Sequence, residues 1–373
     1  MKNMLALWVA IVLAPAALLV ALVLAPAAWA QSPENSWDEL VAAAKKEGKV
    51  VVSGPPSQEL RQAMPAAFKE RFGVTLEYLG GRGNDVATRL RAERRAGLYT
   101  VDAILAGSQT MATILYREGM LDPLRSGLVL PEVTDGAHWK KGSLWFSDPD
   151  AQFVLRLCNT LTSTLAINTH TVRPDDLHSM QDLLDPRWKG KIAFQDPTLP
   201  GSGSNQAAQL YIQFGEEFFK RLYIDQKPVI TRDTRQLTDW LVRGSYPVAF
   251  GAVDGEVEKL RKDGFPVLPL YSLSDWPGTT TAGFGQVAQL SHEPHPNAAK
   301  LFVNWIASKE GSEILARALN VVPARNDIDE ASFLPPELIP RPGVAYFDTF
   351  DWQFTVTKKE EVRLRMKELM QAR

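Results

Sequence analysis

At 373 residues, the chain is longer than one compact core usually serves, so we expect two domains. Its hydrophobic fraction of 45% and charged fraction of 23% are those of an ordinary globular protein. The formal net charge of −2 gives no reason to expect nucleic acid or an anionic membrane surface as the main partner. Cys158 is the single cysteine, which excludes an internal disulfide.

The N-terminus has the pattern of a secretory signal. Lys2 precedes an almost uninterrupted apolar run over residues 4–23, and Ala28-Trp29-Ala30 forms a small-x-small cleavage site. We therefore predict a signal peptide over residues 1–30 and a periplasmic mature protein. The apolar run is long, so an uncleaved membrane anchor stays open as an alternative.

The first part of the mature chain alternates helices and strands. Ser57 can cap a helix whose apolar face carries Leu60, Met64, Phe68 and Phe72. Alternation of this kind predicts parallel strands joined by crossover helices in an α/β sheet. The pattern predicts helices over residues 37–47, 57–72 and 86–96, strands over 49–52, 74–79 and 101–105, and a helix opening at 107–109.

A proline- and glycine-containing region over residues 121–150 interrupts this rhythm, and a second alternating series follows it. The second series therefore predicts a second α/β sheet. Its predicted strands cover residues 152–158, 165–168, 191–194, 229–231, 247–251 and 267–271. Its predicted helical segments cover 182–188, 206–222 and 255–262, together with a helix that follows the turn at 232–235 and ends at Gly244.

The C-terminal part of the chain is expected to return to the first domain. Residues 286–290 predict a return strand, and His295 begins what we expect to be the longest helix, packed on the first domain. Residues 358–372 predict a final amphipathic helix. We therefore assign residues 31–157 and 280–373 to a discontinuous first lobe and residues 158–279 to a second lobe.

Candidate ligand groups follow the predicted strands. Ligands of open α/β sheets bind beyond the carboxyl ends of the strands, where loops enter helices. Short hydroxyls, glycines and arginines at such positions can hold a small polar or anionic ligand, although serines and aspartates there also serve simply as helix caps. The candidate ligand-binding residues are Ser53, Ser57, Arg82, Ser108, Ser204, Arg232, Arg235 and Asp254.

Two of these turns carry arginines and suggest an anion clamp. Arg82 is flanked by glycines, and Arg232 and Arg235 lie where a strand leads into a helix. A helix start offers free N–H groups, and a guanidinium can grip a carboxylate or phosphate through two hydrogen bonds. We therefore predict that Arg82 of the first lobe faces Arg232 and Arg235 of the second. Solvated arginines beside a helix cap are the simpler alternative.

Catalytic and metal-binding patterns are weak. Pro294 separates His292 from His295, so a helical metal-binding pair is not expected. Cys158 lies in an apolar strand, where a thiol is usually buried and inert. We therefore predict no catalytic residue, no resident metal and no cofactor, and keep an enzyme on a two-lobed scaffold as an alternative of another class.

Six segments of the sequence form a recognisable set: AAAKKEGKV, GRGND, RLRAERRAG, LLDPRWKGKIAFQDP, TRDTRQL and HPNAAKLFVNWIASKEG. Together they resemble periplasmic solute-binding proteins of ATP-binding-cassette importers, in the ferric-iron-type group of extracellular solute-binding family one. The resemblance implies a two-lobed, class II-like periplasmic binding protein fold, with crossing strands between the lobes and a cleft that closes on a ligand. It also implies an inner-membrane permease and its ATPase as partners, and we expect a monomer.

The resemblance does not settle the ligand. Ferric-binding members of the group typically use adjacent tyrosines in the second lobe, whereas Tyr246 and Tyr271 are isolated in this sequence. Ferric iron requires anionic oxygen ligands, and an arginine-rich cleft would repel a bare cation. We therefore expect a small anionic solute of the carboxylate, phosphate ester or phosphonate type, and retain a ferric-ion receptor as the alternative.

Overall fold

A computed structural model describes residues 33–199, 201–281 and 283–371. The predicted signal peptide therefore lies outside the described residues. Over the ranges described, no helix has both the length and the apolar character needed to cross a membrane.

The helices occupy most of the predicted helical segments. π-helical turns follow α4 at Met111–Tyr116 and precede α11 at Phe354–Lys358. The helices are α1 (Pro33–Glu47), α2 (Gln58–Phe72), α3 (Gly83–Arg95), α4 (Ser108–Thr110), α5 (Pro131–Thr134), α6 (Ser202–Lys220), α7 (Thr234–Arg243), α8 (Asp254–Lys262), α9 (Pro296–Ala307), α10 (Lys309–Leu319) and α11 (Lys359–Gln371).

The strands form three sheets. They are β1 (Lys49–Gly54), β2 (Thr75–Gly80), β3 (Ala103–Ala106), β4 (Leu121–Asp122), β5 (Leu155–Arg156), β6 (Cys158–Thr162), β7 (Leu165–Asn168), β8 (Ile192–Gln195), β9 (Val229–Thr231), β10 (Val248–Phe250), β11 (Val267–Leu270), β12 (Thr279–Thr281), β13 (Gln286–Leu290), β14 (Val322–Pro323) and β15 (Phe347–Asp348).

The first sheet has the order β2-β1-β3-β13-β4, with β5 also paired to β13. β1 runs parallel to β2 and β3, whereas β13 returns antiparallel to β3. The valine-rich β1 is buried almost throughout, as expected for a strand covered by helices on both faces. The predicted return strand is therefore confirmed, and β3 lies at the centre of the sheet.

The second sheet has the order β11-β7-β10-β8-β9. β8, β9 and β10 run parallel, and β7 pairs antiparallel with both β10 and β11. Its core includes stacked Phe194 and Phe250, whose ring centroids are 4.5 Å apart. β10 is the central strand of this sheet, and β9 is at its edge.

The third sheet joins the other two. The chain passes from β5 in the first sheet through β6 to β7 in the second, and returns from β11 through β12 to β13. β6 and β12 pair antiparallel between these crossings, and β14 and β15 flank them. The two-lobed α/β architecture with crossing strands is therefore confirmed.

The C-terminal elements differ from the prediction in two ways. Ser308 ends α9 and caps α10, accepting a hydrogen bond from Gly311 N, so the expected longest helix is two helices, each shorter than α1 and α2. The backbone of Gly215 is not helical, so α6 is also interrupted by a kink. Val362 and Met366 of α11 pack in the core of the second sheet, although the predicted boundaries grouped residues 280–373 with the first lobe. The domain boundaries themselves stay a prediction.

Smaller differences have local causes. Residues 152–158 do not form one strand, because β5 pairs in the first sheet while β6 pairs in the third. The segment 182–188 forms two 3₁₀ turns, Gln181–Leu184 and Pro186–Trp188, since Pro186 interrupts it.

Candidate functional site

A cavity of about 470 Å³ lies where the central strands of the first two sheets end. β3 leads to it through the start of α4, and β10 leads to it through the start of α8. The crossing sheet adds residues from the ends of β6 and β12, and the first turns of α6 add four more. The chain leading into α11 and the first residue of that helix add the remainder. Because both sheets and the crossing strands contribute, this cavity is the cleft between the lobes.

The cavity is lined mainly by neutral polar side chains. Hydroxyl and carboxamide groups of this kind bind sugars, hydroxy acids and phosphate esters through hydrogen bonds. The hydroxyl residues are Ser108, Thr162, Ser163, Ser202, Thr279 and Thr349. The carboxamide residues are Gln109, Asn205, Gln206 and Gln209.

Neighbouring groups hold several of these side chains in place. Thr279 Oγ1 donates to Gln209 Oε1 at 2.6 Å, and Gln109 Nε2 donates to Thr113 Oγ1 at 2.9 Å. Gln206 Nε2 donates to the backbone carbonyl of Thr164. Amide groups fixed before binding lose less conformational entropy when a ligand arrives.

Two glycines allow the close approaches that shape the cavity. A Cβ on Gly107 would lie 2.8 Å from the carbonyl oxygen of Gly283, which follows the crossing strand β12. A Cβ on Gly203 would lie 2.6 Å from the carbonyl oxygen of Gln195, at the end of β8. The starts of α4 and α6 therefore reach the cavity only because these positions have no side chain.

Asp254 is the acidic residue of the lining within the described chain. Its carboxylate accepts hydrogen bonds from Ser163 N at 2.9 Å and from Ser163 Oγ. Burial raises the pKa of this carboxyl. Asp254 therefore connects the start of α8 to the turn between β6 and β7. Part of the hydrogen-bonding capacity of its carboxylate is used by Ser163.

Lys359 is the basic residue of the lining within the described chain. Its Nζ donates to Gln109 Oε1. Burial lowers the pKa of this amine. Lys359 was not among the predicted site residues, because its place in an amphipathic final helix carries no signal that it contacts Gln109, 250 positions away.

Two of the predicted site residues, Ser108 and Asp254, line the cavity. The other predicted serines have structural hydrogen bonds. Ser53 is buried and its Oγ donates to the carbonyl oxygen of Leu79 at 3.2 Å. Ser57 caps α2 by accepting from Leu60 N at 3.2 Å. Ser204 is buried, although residues on either side of it line the cavity.

The predicted arginines lie outside the cavity lining. Arg82 is exposed and precedes α3, and Arg235 is exposed in the first turn of α7. Arg232 has a side chain 76% exposed, with Nε 3.3 Å from Asp196 Oδ2. Their turns follow β2 and β9, which are edge strands, whereas the cavity forms at the central strands. None of the three arginines lines this cavity, and their role as ligand contacts stays a prediction.

Tyrosines are also absent from the described lining of this cavity. Tyr271 and Tyr346 line a different cavity of about 430 Å³, where Tyr271 Oη donates to Glu258 Oε1 at 3.2 Å. In the ranges that the structure describes, no group of three or more histidine, cysteine, aspartate or glutamate side chains could hold a metal ion.

The sequence profile of a family described as "Bacterial extracellular solute-binding protein" matches residues 48–318, which is most of the chain. The chain belongs to this family. The matched region contains both sheets and the two crossing strands β6 and β12. It also includes all cavity-lining residues except Thr349, Phe354 and Lys359. The family is one of binding proteins rather than enzymes.

Solved structures have the same fold. An iron-binding-type protein of Trichodesmium (IdiA, FutA), in complex with iron and citrate ligands, is 16% identical with a TM-score of 0.63, covering 86% of this chain and 99% of its own. AfuA of Actinobacillus pleuropneumoniae, with exogenous fructose-6-phosphate bound, is 16% identical with a TM-score of 0.59, covering 86% and 97%. Iron-bound HitA of Pseudomonas aeruginosa is 18% identical with a TM-score of 0.56, covering 86% and 98%.

At these identities the likeness to the solved structures shows the fold alone. No match was found among curated protein sequences. The ligand of this chain therefore has to be inferred from the chemistry of its own cavity.

Proposed function

We propose that this protein is the periplasmic receptor of an ATP-binding-cassette importer, which captures a small anionic solute in the cleft and delivers it to a membrane permease and its ATPase. The observation that carries the proposal is the polar cavity lined by both sheets and by the strands that cross between them. A site built from two lobes binds its ligand best when the lobes close, so binding favours the closed state.

The solute is of the carboxylate, phosphate ester or phosphonate type. The starts of α6 and α8 lie at the cavity, and helix starts present N–H groups and positive potential to an anion. The surrounding hydroxyl and carboxamide groups suit a solute that also carries hydroxyl groups. Two structural neighbours are described with citrate and with fructose-6-phosphate, which are solutes of this chemical type.

A ferric-ion receptor is the competing function, because structural neighbours are described with iron. A hard cation needs several anionic oxygen ligands. Asp254 is one carboxylate, and Ser163 already donates two hydrogen bonds to it. The chemistry of the lining therefore favours a solute that brings its own negative charge.

The test is a thermal-shift screen of the protein purified from the periplasm, using organic acids, phosphonates, sugar phosphates, neutral sugars and ferric citrate. A ligand that binds only the folded protein raises its melting temperature, by several degrees at a hundredfold excess over Kd. We expect an acidic solute to stabilise the protein and to be recovered unchanged. Stabilisation by iron alone, with a tyrosinate-to-iron absorption band, would contradict the proposal, and turnover of the solute would indicate an enzyme.

A further inference from the structure

The position of Lys359 links the two lobes across the cavity. Arg363 Nη1 donates to the carbonyl oxygen of Thr198 at 2.7 Å, and Arg365 Nε donates to Glu216 Oε2 at 3.0 Å, so α11 is attached to the second lobe. Gln109, which accepts from Lys359 Nζ, follows β3 of the first sheet. The hydrogen bond between Lys359 and Gln109 therefore joins the C-terminal helix on one lobe to the first helix after the central strand of the other.

Two π-helical turns meet beside this hydrogen bond. Met111–Tyr116 follows the helix that carries Gln109, and Phe354–Lys358 leads directly into Lys359. Close to them, Tyr116 packs edge-to-face on Trp352 with ring centroids 4.9 Å apart. π-helical turns occur frequently at functional sites. The two turns contact each other, and Lys359, which directly follows the second of them, lines the cavity.

Lys359 forms no ion pair with a carboxylate of the described chain. Within the described chain, its hydrogen-bond partner is a neutral amide oxygen, and Glu360 is the acidic residue that acts on it electrostatically. Asp254, the acid of the same cavity, is bonded to Ser163 instead. A half-buried ammonium gains more from a carboxylate or phosphate oxygen than from a neutral amide oxygen, because the attraction between opposite charges adds to the hydrogen bond.

We propose that Lys359 binds the acidic group of the solute, and that it exchanges its hydrogen bond to Gln109 for one to the solute. This inference rests on the proposed function and names the residue that selects an acid over its neutral counterpart. The acidic group then bridges the lobes, with Lys359 on one side and the start of α4, including Ser108, on the other. The anion contact is therefore Lys359 rather than the arginines of the predicted clamp.

The test is isothermal titration of the periplasmic protein with inorganic phosphate, citrate, fructose 6-phosphate and fructose. We expect wild type to bind at least one acidic probe and to bind it more tightly than fructose. Lys359→Met should lower the affinity for that acidic probe by about 10- to 100-fold, which is the usual range for the loss of a charge-assisted hydrogen bond. Lys359→Arg should keep affinity within about tenfold, because it retains the charge.

Two further variants test whether the loss of affinity is specific to the charge of Lys359. Lys358→Met removes the exposed neighbouring charge and should leave affinity unchanged. Gln109→Ala removes the hydrogen bond across the cleft but keeps the cation, so the acidic probe should still bind within about tenfold of wild type. The Gln109→Ala result stays informative if Lys359→Met folds poorly. It tests, with Lys359 in place, whether the hydrogen bond to Gln109 can be given up without loss of the solute.

Three results would overturn the inference. If Lys359→Met bound the acidic probe as wild type does, while Arg82→Ala or Arg232→Ala lost it, the predicted arginines would be the anion contact. If wild type bound fructose as tightly as the acidic probes, the inference would fail while the receptor function stood. If wild type bound none of the four probes and the wider screen found no acidic ligand, both proposals would fail.

Discussion

Arg156 is a buried cation at the point where the first sheet meets the crossing sheet. Its Nη1 lies 2.8 Å from Asp348 Oδ2, and its Nη2 donates to Asn159 Oδ1 at 2.6 Å. The guanidinium carbon lies 3.9 Å from the ring centroid of Trp145 and 4.7 Å from that of Phe350. Burial lowers the pKa of Arg156, and Asp348 opposes this effect. The ion pair and the two rings together hold β5 against β6 and β15.

Replacing Arg156 with Met should destabilise the fold strongly, because it leaves the Asp348 carboxylate and the Asn159 amide without their partner. We expect a loss of about 2–4 kcal/mol in the free energy of unfolding, somewhat below the usual figure for a broken buried pair, because Asp348 is partly exposed. Urea unfolding measures it. Arg243→Met is the matched control, since the pair of Arg243 with Asp239 is exposed and should change stability by less than about 0.5 kcal/mol. Equal losses in the two variants would show that Arg156 is not a structural cation.

Ser57 and Ser108 both open helices but have different surroundings, so they provide a second test. Ser57→Ala should lower stability by about 1 kcal/mol through loss of the α2 cap and leave solute affinity unchanged. Ser108→Ala should lower the affinity for the solute by about five- to tenfold, which corresponds to the loss of one hydrogen bond. It should change the stability little. Urea unfolding and isothermal titration with the acidic solute from the screen measure both. An affinity loss confined to Ser57→Ala would reverse the assignment.

At the scale of elements, α11 is held to α6 by a cluster around Glu216. Arg365, Lys220 and Tyr211 all bond to this carboxylate. Arg365 first, then Lys220 and Tyr211, lower the pKa of Glu216 to about 2. Because Lys359 is the first residue of α11, the docking of this helix also determines where the cation of the cavity lies.

The lowered pKa predicts a pH dependence. A carboxylate with a lower pKa in the folded state stabilises the fold above the unfolded-state pKa of about 4.5, and this contribution disappears as the pH falls toward about 2. Glu216→Gln should therefore melt about 1–3 °C below wild type at pH 7, with the gap closing between pH 4.5 and about pH 2. Circular dichroism melts measure it, with Glu217→Gln as the exposed control. A gap that does not change with pH would contradict the assignment.

Local sequence patterns predicted the helices and strands better than they predicted which strands pair with each other. Ser57 caps α2 and Gly244 ends α7 with a positive φ of 70°, both as the sequence indicates. The strand order is a different kind of information, because it depends on which strands pair over long separations. β2 and β9 are edge strands, which is why the turns with Arg82 and Arg232 lie away from the central cavity. No local pattern marks a strand as central or as an edge.

The residues of the cavity could likewise be predicted only in part from local sequence patterns. Ser108 and Asp254 follow central strands and could be predicted by the rule for α/β sheets. Lys359 could not, because only the docking of α11 on the second core brings it to Gln109. The sequence therefore predicts which loops can bind a ligand, whereas tertiary packing decides which of them do.

At the level of the whole molecule, β6 and β12 connect the two lobes on either side of the cavity. We therefore expect the lobes to close on the solute. Spin labels at Asn84→Cys in α3 and Asp239→Cys in α7 would report the distance between the lobes, and the buried Cys158 should stay unlabelled. The acidic solute from the screen should shorten the mean distance by more than about 2 Å, and its neutral counterpart should not. Double electron–electron resonance measures the distance. An identical distribution with and without a bound acidic solute would contradict closure.

A crystal structure of the protein with the acidic solute that stabilises it most would show directly how the cavity holds its ligand. We expect the solute in the cavity between the two sheets, with its acidic group within hydrogen-bonding distance of Lys359 Nζ. Its remaining polar groups should contact Ser108 and the carboxamides of α6. A solute bound at the edge strands between Arg82 and Arg232, or an iron ion held by tyrosines, would contradict it.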